Sequence, residues 1–262
     1  MTATAVRAFF LGIVLLGLSV PCSHAHLSWI RLREGSLTTG VTAHVSLDHG
    51  DVFPISEGSL PIDYVSAYVI APDGHRETLA LEEEETFLTA PYVPREPGMH
   101  IFYYVYDPGI MSKTTEGWKI GGKDQFPSAF DRLRGIQTAV AYVFAENGPS
   151  SSMHPLGLPI ELVPSVVGED LVLTLLKDSR PFAGATILFL PPGEEARSVG
   201  TTDEAGVITY TSANGLEEEV VFGVKVKLPM PAGSGFFRDV FFTTLCLDFR
   251  SVSAAITGSR SR

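Results

Sequence analysis

Residues Ala185–Thr211 read ATILFLPPGEEARSVGTTDEAGVITYT, and this stretch decides the fold class. Ala185 to Leu190 is a short β-branched and aromatic run, Pro191-Pro192-Gly193 breaks it, and Asp203-Glu204-Ala205-Gly206 turns the chain into a second run, Gly206 to Thr211. Runs this short, bounded by breakers, suit strands rather than helices, which need a longer stripe of period 3.6. The same grammar extends outward in both directions. Further runs lie at Leu27 to Leu32, Val41 to Leu47, Tyr64 to Ala71, His100 to Tyr106, Thr138 to Phe144, Leu158 to Val163, Asp170 to Leu176, Val220 to Leu228 and Phe236 to Leu245. Turn signals such as Pro72-Asp73-Gly74 and Glu96-Pro97-Gly98 separate them, and no long helical stripe competes. The spacing predicts an all-β protein of two β-sandwich domains in tandem.

The breaker-rich segment from Asn147 to Pro155 predicts the linker. The expected division is a domain over 26–150, a second over 156–248, and a Ser-rich basic tail over 249–262. Asp107 to Arg134, with Gly109, Gly117, Gly121, Gly122 and Pro127 among Lys, Trp and Phe, reads as a long irregular loop.

The amino terminus reads as a cleavable secretory signal. Arg7 supplies a positive start, Ala8 to Val20 is apolar for 13 residues, and Pro21 precedes Ser23-His24-Ala25, a fitting peptidase site. A spanning helix needs roughly 20 apolar residues. Cleavage after Ala25 would leave His26 first and 237 of the 262 residues, in a periplasmic or secreted compartment. The formal charge of -11 becomes -12 without Arg7, which excludes nucleic acid and disfavours anionic membranes as partners. Cys246 is the one cysteine left after cleavage, so no internal disulfide is expected.

A new amino terminus on His26 would put its α-amine and imidazole Nδ1 in one chelate ring, a good ligand for a transition-metal cation. His49, in Asp48-His49-Gly50-Asp51 just after the run ending near Leu47, is the expected partner on a flexible loop, with Asp48 and Asp51 as oxygen donors. His26 and His49 are the expected metal ligands. Coordination requires neutral nitrogens, so affinity is expected to fall steeply below about pH 6. Of the remaining histidines, His44 reads as an exposed strand residue, His75 as a turn residue, His100 as a hydrogen-bonded ring in a strand, and His154 as part of the linker. Glu82 to Glu85 and Glu217 to Glu219 read as solvated edges, since consecutive side chains do not converge. Phe102-Tyr103-Tyr104 should alternate faces within a core strand. No nucleophile elbow, phosphate-binding glycine loop, His-Glu-x-x-His or Cys-x-x-Cys occurs, so no enzyme activity is expected.

The string from His154 to Pro164, containing Gly-Leu-Pro-Ile-Glu-Leu-Val-Pro, followed by Ser179-Arg180-Pro181-Phe182-Ala183-Gly184-Ala185 and Thr201-Thr202-Asp203-Glu204-Ala205-Gly206, resembles the NikM-like periplasmic proteins associated with nickel and cobalt uptake. Ala25-His26 with Trp29, and Asp48-His49-Gly50 before Phe53-Pro54, resemble that family's opening. The resemblance implies an immunoglobulin-like sandwich, then a transthyretin-like module like those beside carboxypeptidases. It also implies binding of nickel or cobalt and a membrane metal-uptake complex as partner. In the transthyretin-like module the Pro181-to-Ala185 phrase would turn one strand into the next, Thr202 to Gly206 would make a hairpin, and Glu161 would brace the domain junction. Ser179-Arg180-Pro181 and the basic tail depart from the family pattern. His24-Ala25-His26-Leu27 is also similar to the opening of copper-resistance carriers, and an amino-terminal histidine on a sandwich resembles the copper histidine brace of polysaccharide monooxygenases. Copper is therefore the alternative metal, as carrier or oxidase. A non-catalytic adhesion or scaffold module is the third alternative.

Overall fold

The computed structural model describes residues 26–146, 153–168, 170–211 and 219–248. The signal segment 1–25, most of the expected linker (147–152), Glu217, Glu218 and the tail 249–262 lie outside the described residues. The first segment contains β1 (Leu27–Leu32), β2 (Ala43–Gly50), β3 (Val65–Ile70), β4 (Arg76–Leu79), β5 (Glu82–Glu83), β6 (Phe87–Tyr92), β7 (Gly98–Tyr106), β8 (Ile110–Thr114), β9 (Gly117–Ile120) and β10 (Asp131–Ala145). The second contains β11 (Ile160–Val167), β12 (Asp170–Lys177), β13 (Arg180–Pro181), β14 (Thr186–Leu190), β15 (Arg197–Thr201), β16 (Val207–Tyr210), β17 (Glu219–Pro229) and β18 (Arg238–Asp248). A single 3-10 turn, Ile62–Tyr64, is the one helical element among the described residues, and no helix there is long and apolar enough to cross a membrane. The chain is an all-β sandwich.

Three sheets stack. One has the order β1-β2-β6-β5; the central one runs β15-β14-β17-β18-β10-β7-β3-β4, with the β8–β9 hairpin on β10; the third joins β11, β12 and β13, with β16 on β12. Strand alternation explains the stacking. In β7, Phe102 and Tyr104 enter the core shared with β1, β2 and β6, while Ile101 and Tyr103 enter the core shared with β11 and β12. Both faces of the central sheet are therefore covered. That explains why Phe102-Tyr103-Tyr104 lacks the polar alternate residues of a half-solvated strand. Each fully buried large side chain, such as Trp29, Phe222 or Leu171, contributes about 1.5–3 kcal/mol relative to exposure.

Both chain segments contribute to the central sheet. β10 lies parallel to β18, from Leu133 opposite Arg238 to Tyr142 opposite Leu247, and Thr138 Oγ1 donates to the Ile160 carbonyl at 3.2 Å across the layers. Two loop expectations change. Much of Asp107 to Arg134 folds as the β8–β9 hairpin, its Thr114-Thr115-Glu116-Gly117 turn held by the Thr114 hydroxyl. Thr202 to Gly206 is no hairpin, because β15 pairs with β14 in the central sheet and β16 with β12 in the third. The turn is a crossover between layers. Gly206 has φ 73°, and a Cβ there would stand 2.7 Å from the Leu175 carbonyl, so only glycine fits.

Glu82 and Glu83 lie exposed in the edge strand β5, as expected of a solvated edge. His44 is exposed and paired with Glu34 at 2.6 Å, and the backbone N–H of His75 closes a turn onto Asp73 at 2.7 Å. His100 is fully buried, accepting from Tyr92 Oη at 3.0 Å and donating to the Glu96 carbonyl at 3.2 Å.

Candidate metal centre

β1 and β2 form an antiparallel pair in which Leu27 faces Gly50 and Ser28 faces His49. This register sets His26 beside the end of β2. The two imidazoles predicted as ligands meet: their rings stack with centroids 5.2 Å apart and planes 23° from parallel. His49 is not on a flexible loop, as its sequence context suggested. The strand continues through Gly50, because β1 supplies a cross-strand partner for every residue from Val45 to Gly50.

Beyond Gly50 the chain doubles back. The Glu57 N–H donates to the His49 carbonyl at 2.8 Å, and the His49 N–H donates to Ser56 Oγ at 3.2 Å. Ser56 in turn donates to the Thr86 carbonyl at 2.7 Å. Phe53 anchors the middle of this loop, buried and edge-on to Trp29 with centroids 5.6 Å apart. Gly50 permits the reversal: a Cβ there would lie 2.6 Å from the Ile55 carbonyl and 3.3 Å from Glu57 Cγ. The loop therefore delivers two carboxylates to the histidines. His26 Nδ1 lies 3.8 Å from Asp51 Oδ1 and 3.5 Å from Glu57 Oε2. One ligand-capable atom from each of His26, Asp51 and Glu57 falls within 4.8 Å of the others.

Asp48, expected as an oxygen donor, is not in this group. Its carboxylate is fully buried and held by Arg33 and Ser46, each at 2.6 Å. Three residues on, Asp51 differs: its Oδ1 is enclosed yet has no hydrogen-bond partner. An enclosed acceptor without a donor is costly unless something else satisfies it.

His49 is oriented from behind. Ser28 Oγ lies 2.8 Å from His49 Nδ1 and donates to Gln137 Oε1 at 3.0 Å. A serine hydroxyl has one proton. With it committed to Gln137, His49 Nδ1–H donates to Ser28 and Nε2 keeps its lone pair. Burial, reinforced by the neighbouring His26 and opposed by Asp51, pushes the His49 imidazole down to about 4. It is uncharged at neutral pH, the state that coordinates a metal.

Glu57, Ser28 and Gln137 were invisible in sequence, since their roles depend on a loop reversal and on strands far apart in the chain. Gly50 ahead of Phe53-Pro54 was the available signal for the reversal. Trp29, placed near His26 by sequence, is a core residue. Glu161 of the Gly-Leu-Pro-Ile-Glu-Leu-Val-Pro string is buried and accepts from the N–H groups of Leu156 at 2.8 Å and Gly157 at 3.1 Å. Burial raises its pKa and these donors oppose the rise. It is a brace.

The family described as "Domain of unknown function (DUF4198)" matches residues 23–215. No curated protein matches the chain. Among solved structures, that of a DUF4785 family protein from Legionella pneumophila subsp. pneumophila aligns over 75% of this chain at 11% identity with a TM-score of 0.26. The chain spans 51% of that protein's length, and a likeness this weak carries no argument.

Proposed function

From the premise that this chain belongs to the DUF4198 family, whose function is unknown, we propose that it is an exported protein that captures a transition-metal ion, nickel or cobalt, and delivers it to a membrane uptake complex. The observation that carries this reading is the stacking of His26 on His49, 5.2 Å apart, with His49 held neutral. The amino-terminal signal pattern supports export, and the likeness of the sequence to NikM-like proteins supports the nickel and cobalt assignment. Cleavage after Ala25 would add the α-amine of His26 as a further nitrogen, so that export and metal competence are coupled. Imidazole, amine and carboxylate donors together suit borderline divalent ions. The role is that of a carrier: Ser28, the hydroxyl beside His49, is 2% exposed and spends its proton on Gln137, so it is not placed as a nucleophile.

The test is calorimetric titration of the processed chain with Ni(II), Co(II) and Cu(II). Stoichiometric binding that drops at least 100-fold in His26→Ala is expected. Heat indistinguishable from that variant would overturn the reading. A copper histidine-brace protein is the second reading, favoured by the position of His26 at the expected new terminus; peroxide-dependent oxidation of a polysaccharide by the copper-loaded chain would select it.

A further inference from the structure

We infer that His26, Asp51 and Glu57, beside the stacked ring of His49, form a mixed nitrogen and oxygen site for a divalent first-row cation. This rests on the metal reading above, and goes beyond it by assigning Glu57 as a ligand and pairing it with Asp51 on one side of His26. The distances permit a shared ion. Two ligand atoms bound to one ion at about 2.1 Å are separated by roughly 2.9 to 4.2 Å, depending on the angle between them. The separations of 3.5 and 3.8 Å from His26 Nδ1 to Glu57 and Asp51 fall within that span without any rearrangement of the backbone.

The carboxylates are also held there by construction rather than by chance exposure. Glu57 is fixed by its own N–H on the His49 carbonyl, and Gly50 leaves the space its side chain crosses. The loop between them is pinned by buried Phe53, whose carbonyl accepts from Gly193 N–H at 2.6 Å. Asp51 brings an enclosed oxygen with no donor, while Asp48, three residues earlier, has each carboxylate oxygen satisfied. Asp51 Oδ1, which takes no hydrogen bond and stands 3.8 Å from His26 Nδ1, is an acceptor a shared cation can use.

The donor set then excludes one class of ion. Imidazoles with two carboxylates offer no thiolate or thioether, so monovalent copper gains nothing from Asp51 or Glu57, whereas divalent first-row ions, Ni(II) and Co(II) among them, accept nitrogen and oxygen together. The set also includes groups that do not depend on cleavage after Ala25. The unprocessed chain retains both imidazoles and both carboxylates, and loses only the α-amine.

The experiment compares wild-type, Asp51→Asn/Glu57→Gln and His26→Ala proteins. Each is titrated with Co(II) while the visible absorption of the ion is recorded, and with Cu(I) under anaerobic conditions. The single variant Glu57→Gln, altering a side chain 41% exposed, is carried in parallel, and circular dichroism checks the fold of every variant. The inference expects the carboxylate double variant to bind Co(II) at least ten-fold more weakly with an altered spectrum, Glu57→Gln to shift in the same direction, and Cu(I) affinity to change less than two-fold. Wild-type and carboxylate variants with equal Co(II) affinity and identical spectra, both still dependent on His26, would overturn the inference alone. No Co(II) bound by the wild type would overturn it together with the metal reading.

Discussion

Two of the places where the described residues set a carboxylate near a histidine are built differently. Around Glu161, whose charge interacts with His154, two backbone N–H groups point at the carboxylate, and the residue is 1% exposed. Around His26, the carboxylates of Asp51 and Glu57 stand 30% and 41% exposed, and one enclosed oxygen of Asp51 meets no donor. The first arrangement is self-sufficient: each carboxylate oxygen accepts from a backbone N–H of the fold itself. The second is open toward a partner. Satisfaction of acceptors, more than the presence of His and Glu in a motif, separates a brace from a binding site.

The largest expected effect breaks the second neighbourhood from beneath. Gly50→Ala puts a Cβ within 2.6 Å of the Ile55 carbonyl, forcing the 51–57 loop away from β2. It should cost about 3–5 kcal/mol of stability and abolish metal binding at the same time, as read by denaturant unfolding and titration. The first neighbourhood should respond in only one of these. Glu161→Gln leaves a single acceptor for the donors of Leu156 and Gly157 and adds an NH2 against them. We expect a loss of about 2–4 kcal/mol with metal affinity unchanged; a fall in affinity would erase the distinction between brace and site.

A smaller effect concerns pH. The folded His49 titrates near 4 against an ordinary value of 6.5. Between those values the unfolded chain holds a proton that the folded chain lacks, so stability of the metal-free protein rises with pH through the window and is lost as pH falls from about 6.5 to 4. The contribution is about 3 kcal/mol, and it should vanish from the pH profile of His49→Gln. It also refines the expected loss of metal below pH 6, because proton competition at His49 itself begins only near 4.

Much of the fold was legible in sequence because strand periodicity and turn residues are local. Leu27–Leu32 was read to the residue, and Asp170–Lys177 to within one. The shared central sheet was not legible, since the parallel pairing of β10 with β18 joins residues about a hundred positions apart, and nothing local encodes that register. The same limit applied at the site. His26 and His49 were singled out from their chemistry and context, but that their rings stack depends on the β1–β2 register, and Asp48, expected as a donor, is taken by Arg33, which approaches only once β1 and β2 pair. Glu57 stayed hidden because a reversal of seven residues, permitted by Gly50, brings it back.

The central claim is that His26 and His49 converge on one ion. Nickel-edge X-ray absorption of the loaded, processed chain, recorded beside His49→Ala, tests it most directly. The expected result is imidazole scattering from two histidines in the wild type, falling to one in the variant. The same histidine count in both, or none in the wild type, would contradict it.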